Sequence, residues 1–211
     1  MNAPHRERVI YTLRHAAIDL GRKHIIAGRL NPSLNDEGRA QIKDMAAAKV
    51  PLAYDLVISS PQRRALETAA LVTGLPQDQI TTSELCMERN YGLLEGVAPE
   101  EIGRIEPATH YVSVGGVEHS LNPPGGETLE QLRERVVAFH EFVDGTGAKR
   151  PLVVSHGTFL QQYHGYLQGL DVYHSLQTGV SYLEVNAFEF RGQALFAHSR
   201  LYRPEFIEQP W

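Results

Sequence analysis

Four side chains at three distant points of the chain carry chemistry that belongs together: Arg14 and His15, Arg64, and His156 with Gly157 directly after it. An arginine fork bonds two oxygens at once and keeps its charge at any working pH. Two such forks, two imidazoles and the free N–H groups of a helix opening at Gly157 make a pocket matched to phosphate. The remaining nucleophile for phosphorus is then a ring nitrogen, because no activated thiol or metal cluster is in sight. Its attack forms a phosphohistidine and splits one hard displacement into two easier ones. On the residues alone, one histidine attacks and the other stabilises, with the assignment open.

Competing readings of the other reactive residues are plainer. Cys86 is the single cysteine, without CxxC or zinc spacing, and reads as a small buried hydrophobe. His110, His119, His140 and His164 show neither HxH nor HExxH spacing and read as surface or packed histidines. No metal or other cofactor is expected.

The elements that must hold these residues follow from pattern. Residues 9–13 (VIYTL) form a β-branched and aromatic run that stops at Arg14-His15, as a buried strand does at the active edge of a sheet. Residues 16–34 carry Gly21, Gly28 and Asn31-Pro32 and read as a loop or broken helix. A helix capped by Asn35 should run to about Lys49, with Ile42 and Met45 on its inner face. The next unit repeats the grammar. Residues 56–58 are a strand, Ser60 an N-cap before Pro61, and a helix runs to Thr73 before the stop at Gly74. Only one of Arg63 and Arg64 can face a ligand, since helix neighbours point about 100° apart.

Residues 84–127 are rich in turn residues and read as an elaboration over one edge of the domain. Helical spacing resumes with a capping box at Thr128 and Gln131. Residues 152–154 make another buried strand ending in Ser155-His156-Gly157, then a helix to about Gln168. Two closing strands follow, around 182–185 and 194–197, with the tail after Arg203 expected on the surface. Strand and helix alternation argues for a layered α/β domain, whose ligands sit beyond the carboxyl ends of strands.

Composition bounds the answer. At 211 residues the chain is somewhat longer than the ~150-residue norm, so a single domain over 1–211 with an elaboration is expected. Against 25 acidic residues stand 20 basic ones, a net −5, which speaks against nucleic acid or membrane as partners. Sixteen of those 20 are arginine, an imbalance consistent with oxyanion recognition. The apolar run 9–13 is too short for a signal-peptide core or a membrane span. With one unpaired cysteine, the expectation is a reducing, cytoplasmic setting. Oligomeric state is open, a homodimer included.

The motifs resemble the histidine phosphatase superfamily, the phosphoglycerate-mutase-like branch one. Its Arg-His-Gly appears as Arg14-His15-Ala16, and its Pro-Leu-Thr-x-x-Gly-Arg is similar to 33–39 (SLNDEGR). Its Ser-Pro-x-x-Arg-Ala-x-x-Thr-Ala is met by Ser59 or Ser60 with Pro61, Arg64, Ala65, Thr68 and Ala69. Its Glu-Arg-x-Tyr-Gly is met by Glu88, Arg89, Tyr91 and Gly92. Gly126-Glu127-Thr128 and Val154-Ser155-His156-Gly157 complete a series in family order over roughly 9–187.

The resemblance implies a three-layer α/β/α sandwich on a central, mostly parallel mixed sheet. It implies that His15 is the phosphorylated nucleophile, that Arg14, Arg64 and His156 hold the phosphoryl oxygens, and that Glu88 is the proton donor and acceptor. The implied substrate is a small phosphorylated metabolite. Arg89 and Tyr91 are candidates for its distal part, and the stretch 110–119 for reading the leaving group.

Departures are Ala16 for the glycine after the nucleophile, Gly21 for a usual asparagine and Ile25 for a usual arginine. Mutases of the family carry a longer basic insertion, whereas residues 93–124 hold Arg104 as their only lysine or arginine. Hydrolysis is therefore favoured over a mutase-type phosphotransfer. A non-catalytic phospholigand-binding module is the third reading, against which Glu88 stands, since binding needs no proton donor.

Overall fold

The computed structural model describes residues 7–105 and 109–204. The tail expected on the surface lies outside the described residues from position 205 onward. The chain forms β1 (Glu7–Arg14), α1 (Asp19–Arg22), α2 (Asp36–Ala47), β2 (Leu56–Ser59), α3 (Arg63–Thr73) and β3 (Thr81–Thr82). After these come the hairpin β4 (Tyr111–Val114) and β5 (Val117–Ser120), α4 (Leu129–Gly145), β6 (Pro151–Ser155), α5 (Gly157–Leu167), β7 (Val185–Arg191) and β8 (Ala194–Tyr202).

Six strands make one mixed sheet in the order β3-β2-β6-β1-β7-β8. The first four run parallel, and β7 and β8 close the far edge antiparallel. Alternation along each strand sends side chains to two faces. On one face Tyr11, Leu13, Val57, Leu152 and Val154 pack with Ile42 and Met45 of α2 and Ala65 and Ala69 of α3. On the other, Ile10, Ile58, Val153 and Phe188 pack with residues of α4 and α5. This is the three-layer sandwich the resemblance implied. Phe139 meets Phe159 and Tyr163 edge-on, each pair with ring centroids 5.3 Å apart. Each such fully buried side chain contributes about 1.5–3 kcal/mol of transfer free energy.

Register decides where the chemistry lands. Arg14 pairs with Ser155, so the residues that follow, His15 and His156, leave the sheet side by side. Ser59 pairs with Val154, which brings the turn before α3 to the same edge.

Several local expectations need correction. Ser60 is not an N-cap: α3 opens at Arg63 after Gln62, and the Ser60 hydroxyl accepts the Gln62 N–H at 3.2 Å in a preceding turn. The cap bond comes from across the fold, since the Arg63 N–H donates to Asn31 Oδ1 at 2.7 Å. The first closing strand begins at Val185, because Leu183 takes a left-handed φ of 53° that breaks the extended run. The second is longer than expected, extending to Tyr202. Within the elaboration, Gly115 and Gly116 are the turn of a hairpin, both at positive φ as a two-residue β-turn requires. Asn35, Gly74 and the Thr128–Gln131 box cap their helices as read. No helix among the described residues is long and apolar enough to cross a membrane.

Candidate active site

The structure brings Arg14, His15, Arg64, Glu88 and Gly157 onto one cavity at the carboxyl edge of the sheet, with His156 packed beside His15. The His15 ring is nearly fully buried, and its Nδ1 donates to the Ala16 carbonyl at 2.7 Å. A carbonyl only accepts, so the proton is on Nδ1 and the lone pair on Nε2. Arg64 Nε donates to that Nε2 at 3.2 Å. Burial first, and then the charges of Arg64 and Arg14, hold the imidazole well below its ordinary 6.5. His15 is thus a neutral imidazole with its unprotonated nitrogen beside a guanidinium.

His156 is fully buried at 5.1 Å from His15, ring to ring, and is held neutral by burial and the same arginines. Neither of its ring nitrogens has a hydrogen-bond partner among the described residues. A buried polar atom left unpaired is destabilising, and a site that awaits an anion is one reason to keep it so. Arg14 shows the same incompleteness. One terminal nitrogen donates to the Val180 carbonyl at 2.6 Å, while its Nε is buried without a partner.

Arg64 is almost fully buried, whereas Arg63 is exposed. Its terminal nitrogens donate to the carbonyls of Leu30 at 2.7 Å and Gly28 at 2.9 Å, which aims the fork. Burial lowers it to about 10, still charged at neutral pH. Gly157 gives room to Arg14, because a Cβ there would lie 3.1 Å from the guanidinium carbon.

The expectation that the start of α5 faces phosphate needs revision. The N–H groups of Thr158 and Phe159 donate instead to the two carboxylate oxygens of Glu88, at 3.2 and 3.1 Å. Arg89 N–H adds a third bond at 2.8 Å. The helix dipole therefore seats Glu88, and the carboxylate faces the cavity that His15 lines.

Two guanidiniums that do not face His15 hold this segment. Arg135 grips Glu127 through two bonds, at 2.8 and 2.7 Å, and donates to the carbonyls of Leu85 and Met87. Arg89 donates to the carbonyls of Ser120, Leu121 and Glu127. Its fork is spent on the wall of the cavity. Tyr91, also on the cavity, bonds the Thr158 hydroxyl at 2.7 Å.

Sequence reading missed two residues. Gln62 donates to the Gly28 carbonyl and accepts the Glu88 N–H, each at 2.9 Å, tying the loop under Arg64 to the proposed acid. Tyr182 lies under Arg14, 4.0 Å from guanidinium carbon to ring centroid, and 5.4 Å from the His15 ring. A Cβ at Gly21 would be only 2.2 Å from its hydroxyl. The space left at position 21 is filled by a phenol, so that wall keeps a polar group. No motif signals it, since Tyr182 is 161 positions away in the chain.

Of the remaining reactive residues, Cys86 is fully buried, with its thiol pushed up to about 12 by burial. His164 is buried against Phe188 and bonds Thr12 Oγ1 at 2.7 Å. His119 reaches the cavity wall, and His110 is exposed.

Comparison with known proteins agrees with this geometry. Residues 10–200 match the family described as histidine phosphatase superfamily (branch 1). A Hydrogenobacter thermophilus protein provisionally named phosphoserine phosphatase 2 is 30% identical over 165 residues, covering 76% of this chain and 79% of its own. The 2,3-bisphosphoglycerate-dependent phosphoglycerate mutase of Beijerinckia indica is 28% identical over 175 residues, covering 78% and 83%. The fold is shared with the α-ribazole phosphatase of Shigella flexneri, at a TM-score of 0.78 and 18% identity over 95% of this chain and 100% of that one. With 191 consecutive residues matched and the family's motifs gathered at one sheet edge, the chain belongs to the histidine phosphatase superfamily, branch 1.

Proposed function

We propose that this protein hydrolyses a small phosphomonoester through a phosphohistidine on His15, with Glu88 moving the proton and no metal required. The observation that carries this reading is the His15 Nε2 lone pair, beside Arg64 in a cavity that Glu88 also lines. In the first step Nε2 attacks phosphorus, the P–O bond to the alcohol breaks, and Glu88 gives its proton to the departing oxygen. In the second, Glu88 takes a proton from water as its oxygen attacks phosphorus, and the P–N bond breaks. Arg14, Arg64 and His156 bind the non-bridging oxygens, whose charge is largest in the transition state. The Tyr182 hydroxyl, beside Gly21 on the same cavity, would join them.

A mutase reading draws support from relatives of that name. It requires a cation for the second acidic group of the substrate. Arg104 is exposed and outside the cavity lining, and Ile25 faces the cavity. Hydrolysis is therefore the reading preferred. Feeding monophosphoglycerate with a catalytic amount of bisphosphoglycerate separates the two, since hydrolysis yields inorganic phosphate and mutase action yields isomer.

Rapid acid-free quench with 32P-labelled substrate tests the intermediate. Label should appear on His15 and vanish in His15→Ala together with turnover. Hydrolysis of 4-nitrophenyl phosphate by a folded H15A protein at the parent rate overturns the assignment.

A further inference from the structure

The cavity has a volume of about 360 Å³, room for a phosphoryl group and a compact organic body. Beyond the phosphate end its wall is built by Ile25, Ile26 and Ala27 from the loop after α1, by Pro99 and Ile102, and by Tyr111 of the hairpin. The charges along this wall are few. Arg14 and Arg64 belong to the phosphoryl end. Arg89 has Nε and both terminal nitrogens committed to main-chain carbonyls. The other basic side chains on the lining are the imidazoles of His24 and His119, the second lowered by burial. Glu118 of the hairpin contributes a negative charge.

We infer that the alcohol half of the substrate is uncharged and mainly hydrocarbon, an aromatic or branched alcohol, and that the 25–27 loop with the β4–β5 hairpin selects it. This rests on the phosphatase reading above. A second carboxylate or phosphate in the substrate would lose its water against isoleucine side chains and meet Glu118, while the Arg89 fork is turned toward main-chain carbonyls. A hydrocarbon body loses nothing there and removes apolar wall from water. Discrimination arises from what the wall lacks as much as from what it holds.

The test compares kcat/KM of the full chain for three esters of alkyl alcohols: 2-phenylethyl phosphate, phosphoserine and 3-phosphoglycerate. Wild type should favour 2-phenylethyl phosphate at least 100-fold over either acid. Ile25→Arg should narrow that ratio at least tenfold, raising the acids and lowering the phenylethyl ester. Glu118→Gln, at an exposed hairpin position, should narrow it about threefold. Parity of the acids with 2-phenylethyl phosphate in wild type, or ratios unmoved in both folded variants, overturns the selectivity and leaves the phosphatase reading standing. Release of phosphate from none of these esters nor from 4-nitrophenyl phosphate overturns both.

Discussion

The two ends of the cavity are built on different principles. The phosphate end stands on the sheet: His15 and His156 follow adjacent parallel strands, and the register of β1 against β6 fixes their spacing. The outer wall stands on no sheet of that kind. Residues 84–105 and the small hairpin are held by arginines that reach main-chain carbonyls, Arg135 from α4 and Arg89 from within the segment. The contrast teaches where change is tolerated. A phosphoryl group is the same in every substrate and suits a rigid frame. The alcohol differs, and a wall held by side-chain clamps can be rebuilt without moving the frame.

Glu88 is where the two constructions meet: it belongs to the clamped segment, yet Gln62 before α3 holds its main-chain N–H and α5 holds its carboxylate. Glu88→Gln removes the proposed proton transfer and turns an amide donor toward a main-chain N–H that the carboxylate now accepts, so kcat on alkyl phosphates should fall about 10²–10⁴-fold. The loss should be smaller on 4-nitrophenyl phosphate, whose leaving group needs no proton. Equal losses on both substrates would place Glu88 outside the first step.

Arg135→Ala attacks the wall alone. It strands Glu127, whose carboxylate that guanidinium helps hold below its usual range, and frees the carbonyls of Leu85 and Met87. A loss of about 2–4 kcal/mol in denaturant unfolding is expected, as for a mostly buried pair broken on one side. If the sheet end is independent, phosphate should still protect the variant against unfolding.

The frame has its own weakness, at His164 beneath β1. Burial brings this imidazole down to about 3 from 6.5, so the unfolded chain takes up a proton that the folded one refuses. Stability is therefore full above pH 6.5 and falls by about 1.4 kcal/mol per pH unit as pH drops toward 3. His15 and His156 are shifted in the same direction and add to the slope. His164→Phe should reduce the slope of unfolding free energy against pH by about one proton, whatever its effect at pH 8. An unchanged slope would show that His164 is protonated in the fold.

The smallest effect separates phenol from ring at the phosphate end. Tyr182→Phe keeps the contact under Arg14 and loses the hydroxyl over Gly21. A hydrogen bond to a charged phosphate oxygen is worth at least about 1.5 kcal/mol, so kcat/KM should fall about tenfold on every ester alike. A loss confined to one class of alcohol would move Tyr182 from the phosphate end to the wall.

The strand-end pairs Arg14-His15 and Ser155-His156 were legible because a buried strand is a local apolar run and its polar stop adjoins it. The capping signals at Asn35 and Thr128 are local for the same reason. Ser60 misled because a hydroxyl before proline serves a turn as readily as a cap, and Asn31 on a distant loop supplied the bond. The start of α5 misled because free helix N–H groups donate to any nearby anion, and the fold delivers Glu88 first.

Local pattern along the chain is enough for the layered α/β class, the positions of the main strands and helices, and the residue types of a phosphate site. Tertiary structure decided which nitrogen of His15 carries the lone pair, which donors remain unpaired, and how Tyr182 fills the gap at Gly21. It also decided that Arg89 spends its fork on the main chain of the wall. Local pattern reports which residues prefer a strand, a cap or a helix face. Partnership between groups dozens to hundreds of positions apart depends on packing, and only the folded chain brings them into contact.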